Sequence, residues 1–190
     1  MKRLAAVLLL AACAGGGGAS ADSLASRERR LDHEKAQAAY RLEWKSCRKL
    51  QANAKDICKA EAKGHFEVAK AEIDTRYKRS PANEDGVKLA RAQAAYRLAS
   101  EKCKDVTGNA RDVCKADART AWVAARSEAR LSRASVDNGI NSRRAVNERK
   151  EAREDNADAQ YAAAKERCDT LPREAKASCV GDAKRKYGKL

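Results

Sequence analysis

Apart from one apolar run near the start, residues 4–12, the chain is nowhere hydrophobic for long. From residue 35 onward, large apolar side chains stand mostly singly among Ala, Lys, Arg and Glu. Tyr40 precedes Cys47 by seven positions and Phe66 follows Cys58 by eight, spacings that hold the two members of a pair on one helix face. This pattern predicts six helices, near 23–50, 54–78, 84–106, 110–133, 142–169 and 173–187. Ser80-Pro81 breaks the chain after the second helix, because proline lacks a donor and restricts the residue before it. The Gly- and Asn-containing stretch from Ser135 to Ser142 separates the fourth helix from the fifth.

Aligned on its cysteines, the sequence repeats itself. The segment AQAAYRLEWKSCRKLQANAKDICKAEAK from Ala36 recurs as AQAAYRLASEKCKDVTGNARDVCKADAR from Ala92, an offset of 56. A looser copy, DAQYAAAKERCDTLPREAKASCVGD from Asp158, follows at a further 65. Tyr40, Tyr96 and Tyr161 stand seven residues before the first Cys of each copy, and Phe66, Trp122 and Tyr187 eight after the second. The midpoint of each Cys pair falls at Ala52-Asn53, Gly108-Asn109 or beside Pro172, where helices end and begin.

Each copy therefore reads as two antiparallel helices joined at that midpoint. In such a hairpin, residues equidistant from the turn face each other, which pairs Tyr40 with Phe66, Tyr96 with Trp122 and Tyr161 with Tyr187. The same symmetry pairs Cys47 with Cys58, Cys103 with Cys114 and Cys168 with Cys179. Metal binding is the rival use of these cysteines, but an eleven-residue spacing matches no common zinc signature, and His33 and His65 do not recur between copies. The expected fold is all-α: three tandem antiparallel helical hairpins, each closed by an intra-repeat disulfide near its turn. Hairpin repeats are expected over 23–79, 80–134 and 142–190, with a linker at 135–141. Whether they cluster or run as an extended array stays open.

Composition gives a reason for the sulfur. Of 82 hydrophobic residues, 41 are Ala. Leu, Ile, Val, Phe, Trp and Tyr together make up about 17% of the chain past residue 21, below the level of about 20% where disorder becomes a live option. Ala-rich helices bury little area per turn, and short ones are marginal in water. A disulfide closing a loop of this length contributes about 2–3 kcal/mol, chiefly by restricting the unfolded chain.

The start of the chain points to export. Met1-Lys2-Arg3 followed by the nine-residue apolar run resembles a signal peptide, and the run is far short of the ~20 residues a membrane span needs. Two processing routes are expected: cleavage after Ala19-Ser20-Ala21, which removes 1–21, or a lipoprotein signal of 1–12 that leaves Cys13 as an acylated N-terminus with 13–22 as a glycine-rich tether. Either route leaves six paired cysteines in an oxidising compartment.

Catalytic chemistry is absent from the pattern. There is no GxSxG, phosphate loop or HExxH, and two unmatched His are a poor supply of general bases. No enzyme activity, cofactor, bound metal or small-molecule substrate is expected. Glu61 and Asp117 recur at one repeat position, where each is expected to pair with a cation one turn away. A formal charge of +14 and basic clusters around Arg27, Arg130, Arg149 and Lys186 suit an anionic polymer. Acids interleave those clusters, however, as on an ordinary solvated helix face.

The repeated NAKDIC and NARDVC turns, with Tyr seven residues before the first Cys and an Ala- and Lys/Arg-rich helix after the second, resemble a group of small exported proteins of Gram-negative bacteria labelled TolA-like or cell envelope biogenesis. The resemblance covers residues 36–134 well and 158–187 loosely, the third copy having LPREAKASC at its turn. It implies a helical build and a place in the cell envelope, and it carries over no site residues. The expected role is a non-catalytic structural or interaction module, periplasmic or anchored to the outer membrane as a lipoprotein. Its partner would be an envelope protein or an anionic envelope polymer, with membrane attachment only through a lipid anchor. The alternative is a polyanion-binding protein for lipopolysaccharide, anionic lipid or DNA.

Overall fold

A computed structural model describes residues 17–189, with side chains from residue 23 onward. Six α-helices make up the chain in order: α1 (Gly17–Ser46), α2 (Ala52–Tyr77), α3 (Pro81–Lys102), α4 (Gly108–Asn138), α5 (Arg143–Cys168) and α6 (Arg173–Tyr187). The first and second hairpin turns each begin with one 3₁₀ turn, Cys47–Lys49 and Cys103–Asp105. The described residues contain no strand.

Each helix packs against its neighbours in sequence, α1 on α2, α2 on α3 and so on to α6. The three hairpins thus form a single up-and-down array rather than a bundle around one centre. The broadest junctions, α2 with α3 and α4 with α5, join one copy to the next. Alternating direction places all three cysteine-closed turns on one edge of the array and the two connections after α2 and α4 on the other.

Small side chains build this interior. Among the described residues Ala62, Ala129, Ala134, Ala145, Ala152, Ala159, Ala163 and Ala183 are buried, with Ile73 and Val123 the only larger aliphatics beside them. The largest fully buried side chains are Cys47, Cys103, Cys168 and Ser127. Close helix approach follows from the lack of bulk. At the α2/α3 crossing a Cβ on Gly64 would lie 2.9 Å from the Ala94 Cβ. At the equivalent α4/α5 crossing, Thr120 donates its hydroxyl to the Ala159 carbonyl at 3.0 Å.

Local signals set the ends. Ser80 caps α3 by accepting from the Asn83 N–H at 3.2 Å, and Pro81 occupies the first helical position, where it needs no donor. The helix therefore starts three residues before the 84 expected from the Ser-Pro break. Likewise α4 runs through Asn138, so the expected linker at 135–141 is half helix: Ala134 is buried, and chain reversal waits for Gly139 at φ 78°. Ser142 then caps α5 through the Ala145 N–H. The leader, the cleavage site and Cys13 lie outside the residues whose side chains are described. Among the described residues, no helix is long and apolar enough to cross a membrane.

Candidate interaction surface

The cysteine edge is built as the repeat demands. Cys47–Cys58, Cys103–Cys114 and Cys168–Cys179 are disulfides, with Cα–Cα separations of 5.6, 5.6 and 5.7 Å. Those values sit at the middle of the range a bridge requires. One layer inward the Tyr40 and Phe66 rings stack at 5.0 Å, and Tyr96 meets Trp122 at 5.5 Å. Trp44, which has no counterpart in the other copies, adds a ring 5.6 Å from Tyr40. The third expected pair differs. Tyr187 is the last residue of α6, which Gly188 ends at φ 66°, and its ring lies beneath the Lys186 ammonium at 5.3 Å instead of against Tyr161.

Beside the bridges, two asparagines tie each copy to the next. Asn53 Nδ2 donates to the Glu101 carbonyl at 2.8 Å and to Asp105 Oδ1 at 2.7 Å. Asn109, its equivalent one copy later, donates to the Glu166 carbonyl at 2.9 Å. Glu101 and Glu166 both stand two residues before the first Cys of the copy that receives the bond. The third copy has Glu174 in the asparagine position. In sequence these asparagines have the character of turn residues; their recurrence six positions after each first Cys is the available signal of a further role.

On the opposite edge, charge does the holding. Asp74 of α2 accepts from Arg29 at 2.7 Å and lies 3.0 Å from His33 Nε2, both on α1. One turn away, Asp32 accepts from Lys35 at 3.1 Å, from the Tyr77 hydroxyl at 2.9 Å and from Arg76 at 3.1 Å. The hydrogen bond from Lys35, then that from Tyr77, holds the Asp32 carboxyl below its usual range. Burial works against ionisation of Asp74, yet Arg29 and His33 together draw it lower as well. Tyr77 moves up, through burial and then through its bond to Asp32.

Between the second and third copies, Arg130 on α4 bridges Glu148 and Glu151 of α5, each at 2.7 Å, and Arg126 reaches Asp155 at 3.3 Å. The acids outweigh the burial that disfavours the Arg130 cation and raise its pKa. Asp117 pairs with Arg167 of α5, across copies, where a partner one turn along its own helix was expected.

These pairings absorb much of the basic surface. Arg29, Arg30, Arg126, Arg130, Arg133, Lys150, Arg185 and Lys189 all have acidic partners. His65 is largely exposed and paired with Glu43 at 3.0 Å, on the flank of the first hairpin. Among the described residues, no group of three or more His, Cys, Asp or Glu is arranged to hold a metal ion. No protein-family model, curated protein or solved structure matches the chain.

Proposed function

We propose that the chain is a non-catalytic, exported protein of the cell envelope, a structural or interaction module that presents rigid helix faces to a partner. The observation that carries this reading is the use made of its chemistry. Cysteines, aromatics, asparagines and most paired charges hold one helix to the next, and what remains outward is a long, mixed-charge surface on a covalently braced frame. Three disulfides favour an oxidising compartment, in keeping with the export signal in the sequence. Intact-mass measurement of the chain recovered from the envelope fraction tests it. A species beginning at Asp22, or at a diacylated Cys13, with six thiol protons missing is the expected result. A cytosolic species with free thiols contradicts it.

A second reading, polyanion binding, rests on the formal charge of +14 and on the run Lys184, Arg185, Lys186 and Lys189 at the end of α6. Retention on a heparin column that disappears at moderate salt favours it, because phosphate- or sulfate-type contacts release counterions steeply with salt. Elution with the lowest-salt fractions removes it.

A further inference from the structure

The second and third copies are spaced nine residues further apart than the first and second, and the extra chain goes into the α4–α5 reversal. α4 and α5 have 31 and 26 residues, against 26 and 22 in α2 and α3. Equivalent asparagine ties keep both junctions in the same register at the cysteine edge. The surplus therefore emerges at the opposite edge, where the α4–α5 reversal projects about 6 Å beyond the α2–α3 connection at 1.5 Å per residue. The projection is firm. Ala134 and Ala145, on either side of it, are buried. Within it the Ser142 N–H donates to the Gly139 carbonyl at 3.1 Å and Arg149 to the Ile140 carbonyl at 2.7 Å. What this tip turns outward is aliphatic and cationic. Val136, Ile140 and Val146 are 58%, 66% and 48% exposed. From Arg133 to Arg153 six cations stand with three acids, and the acids are taken: Asp137 pairs with Arg133, and Glu148 and Glu151 with Arg130. Arg143 and Arg144, exposed in the first turn of α5, have no acidic partner among the described residues. Cations there work against the helix dipole, so their place is not one that folding favours.

We infer that this tip seats on an anionic lipid bilayer, with Ile140 and the two valines entering the headgroup region and Arg143 and Arg144 meeting lipid phosphates. A surface that takes both parts of the tip is negative outside and apolar beneath, as a lipid interface is. A nucleic acid or an anionic polysaccharide would use the arginines and leave Val136, Ile140 and Val146 in water. A folded partner would need a cavity shaped to a projecting reversal, whereas a bilayer yields to one. The carbonyls of Gly139 and Ile140, met from within, bring no unpaired acceptors into that interface. The contact is independent of any lipid on Cys13. It gives one partner to the interaction module proposed above, and its failure leaves the intact-mass and heparin tests untouched.

Co-sedimentation with lipid vesicles tests the inference, using the oxidised, unacylated chain beginning at Asp22, which keeps every described side chain. Binding is expected to vesicles of equal parts phosphatidylglycerol and phosphatidylcholine, weakening as salt rises and falling to background on phosphatidylcholine alone. Ile140→Asp should weaken it by about tenfold or more, since binding of this kind scales with the apolar area that enters the interface. R143Q/R144Q should weaken it by a similar factor, each cation near an anionic surface counting for about fivefold. Leu171→Asp, at a 40% exposed site on the cysteine edge, should bind as the wild type does. Far-UV circular dichroism of all three variants should match the wild type, because the altered side chains are exposed. A wild type that does not bind the anionic vesicles, or binds phosphatidylcholine equally, would overturn the inference. So would binding that R143Q/R144Q abolishes and Ile140→Asp leaves intact, the sign of a polyanion contact through the arginines alone.

Discussion

The two edges of the array solve the same problem with different chemistry. On one edge, three helix reversals are closed by disulfides, and asparagine amides tie the first copy to the second and the second to the third. On the other, the connections after α2 and α4 have no covalent bond. Serine caps hold them, together with Asp32 and Asp74 between α1 and α2, and Arg130 between α4 and α5. Neither edge has bulky apolar residues to spare, since the interior is mostly alanine. The bridged edge therefore depends less on pH and salt but is vulnerable to reductant. The charged edge has the reverse sensitivities, because exposed ion pairs are screened by salt and lost on titration.

Removing one staple should have the largest single effect. The double substitution Cys103→Ser with Cys114→Ser opens the central hairpin and should cost about 2–3 kcal/mol, read as a lower midpoint in urea unfolding. If the apolar contacts alone held the copies, the midpoint would barely move. A smaller loss should follow Asn109→Ala. It removes the amide that reaches the Glu166 carbonyl and should cost about 1 kcal/mol, with hydrogen exchange quickening at the third copy and not the first.

A still finer contrast lies within the bridged edge. Ala52 sits at φ 47°, while Gly108, its equivalent in the second copy, sits at φ 59°. A side chain is strained in that region and glycine is not. Ala52→Gly should therefore stabilise the first copy, and Gly108→Ala should weaken the second, each by up to about 1 kcal/mol. Thermal melts of the two variants should move in opposite directions.

The smallest expected effect is titration of the charged edge. Asp32 and Asp74 have carboxyls held below their usual range. Their contribution is complete above the unfolded carboxylate value of about 4 and fades as pH falls through the lower folded values. Acid should loosen the α1/α2 pairing at its far edge first, seen as local amide exchange, while the cysteine edge stays protected.

The legible part of this fold is the part written in rare residues. Cysteines and aromatics recur at fixed spacing, so the hairpins, the bridges and two of the three ring pairs followed from counting. The junctions between copies did not. Their contacts are Gly64 on Ala94 and Thr120 on the Ala159 carbonyl, small residues lost in a sequence full of alanine. Asn53 and Asn109 were read as turn formers, because a single sequence shows where a side chain stands and not which carbonyl it reaches. For the third pair, symmetry about the turn names Tyr161, whereas the ring of Tyr187, the last residue of α6, has its contact with Lys186.

Thermal unfolding of the oxidised and the fully reduced chain, followed side by side at 222 nm, tests most directly whether sulfur substitutes for a hydrophobic core. The oxidised chain should melt cooperatively, and the reduced chain should lose most of its helix well below that midpoint. A reduced chain that keeps its helicity and melts at the same temperature would contradict the account.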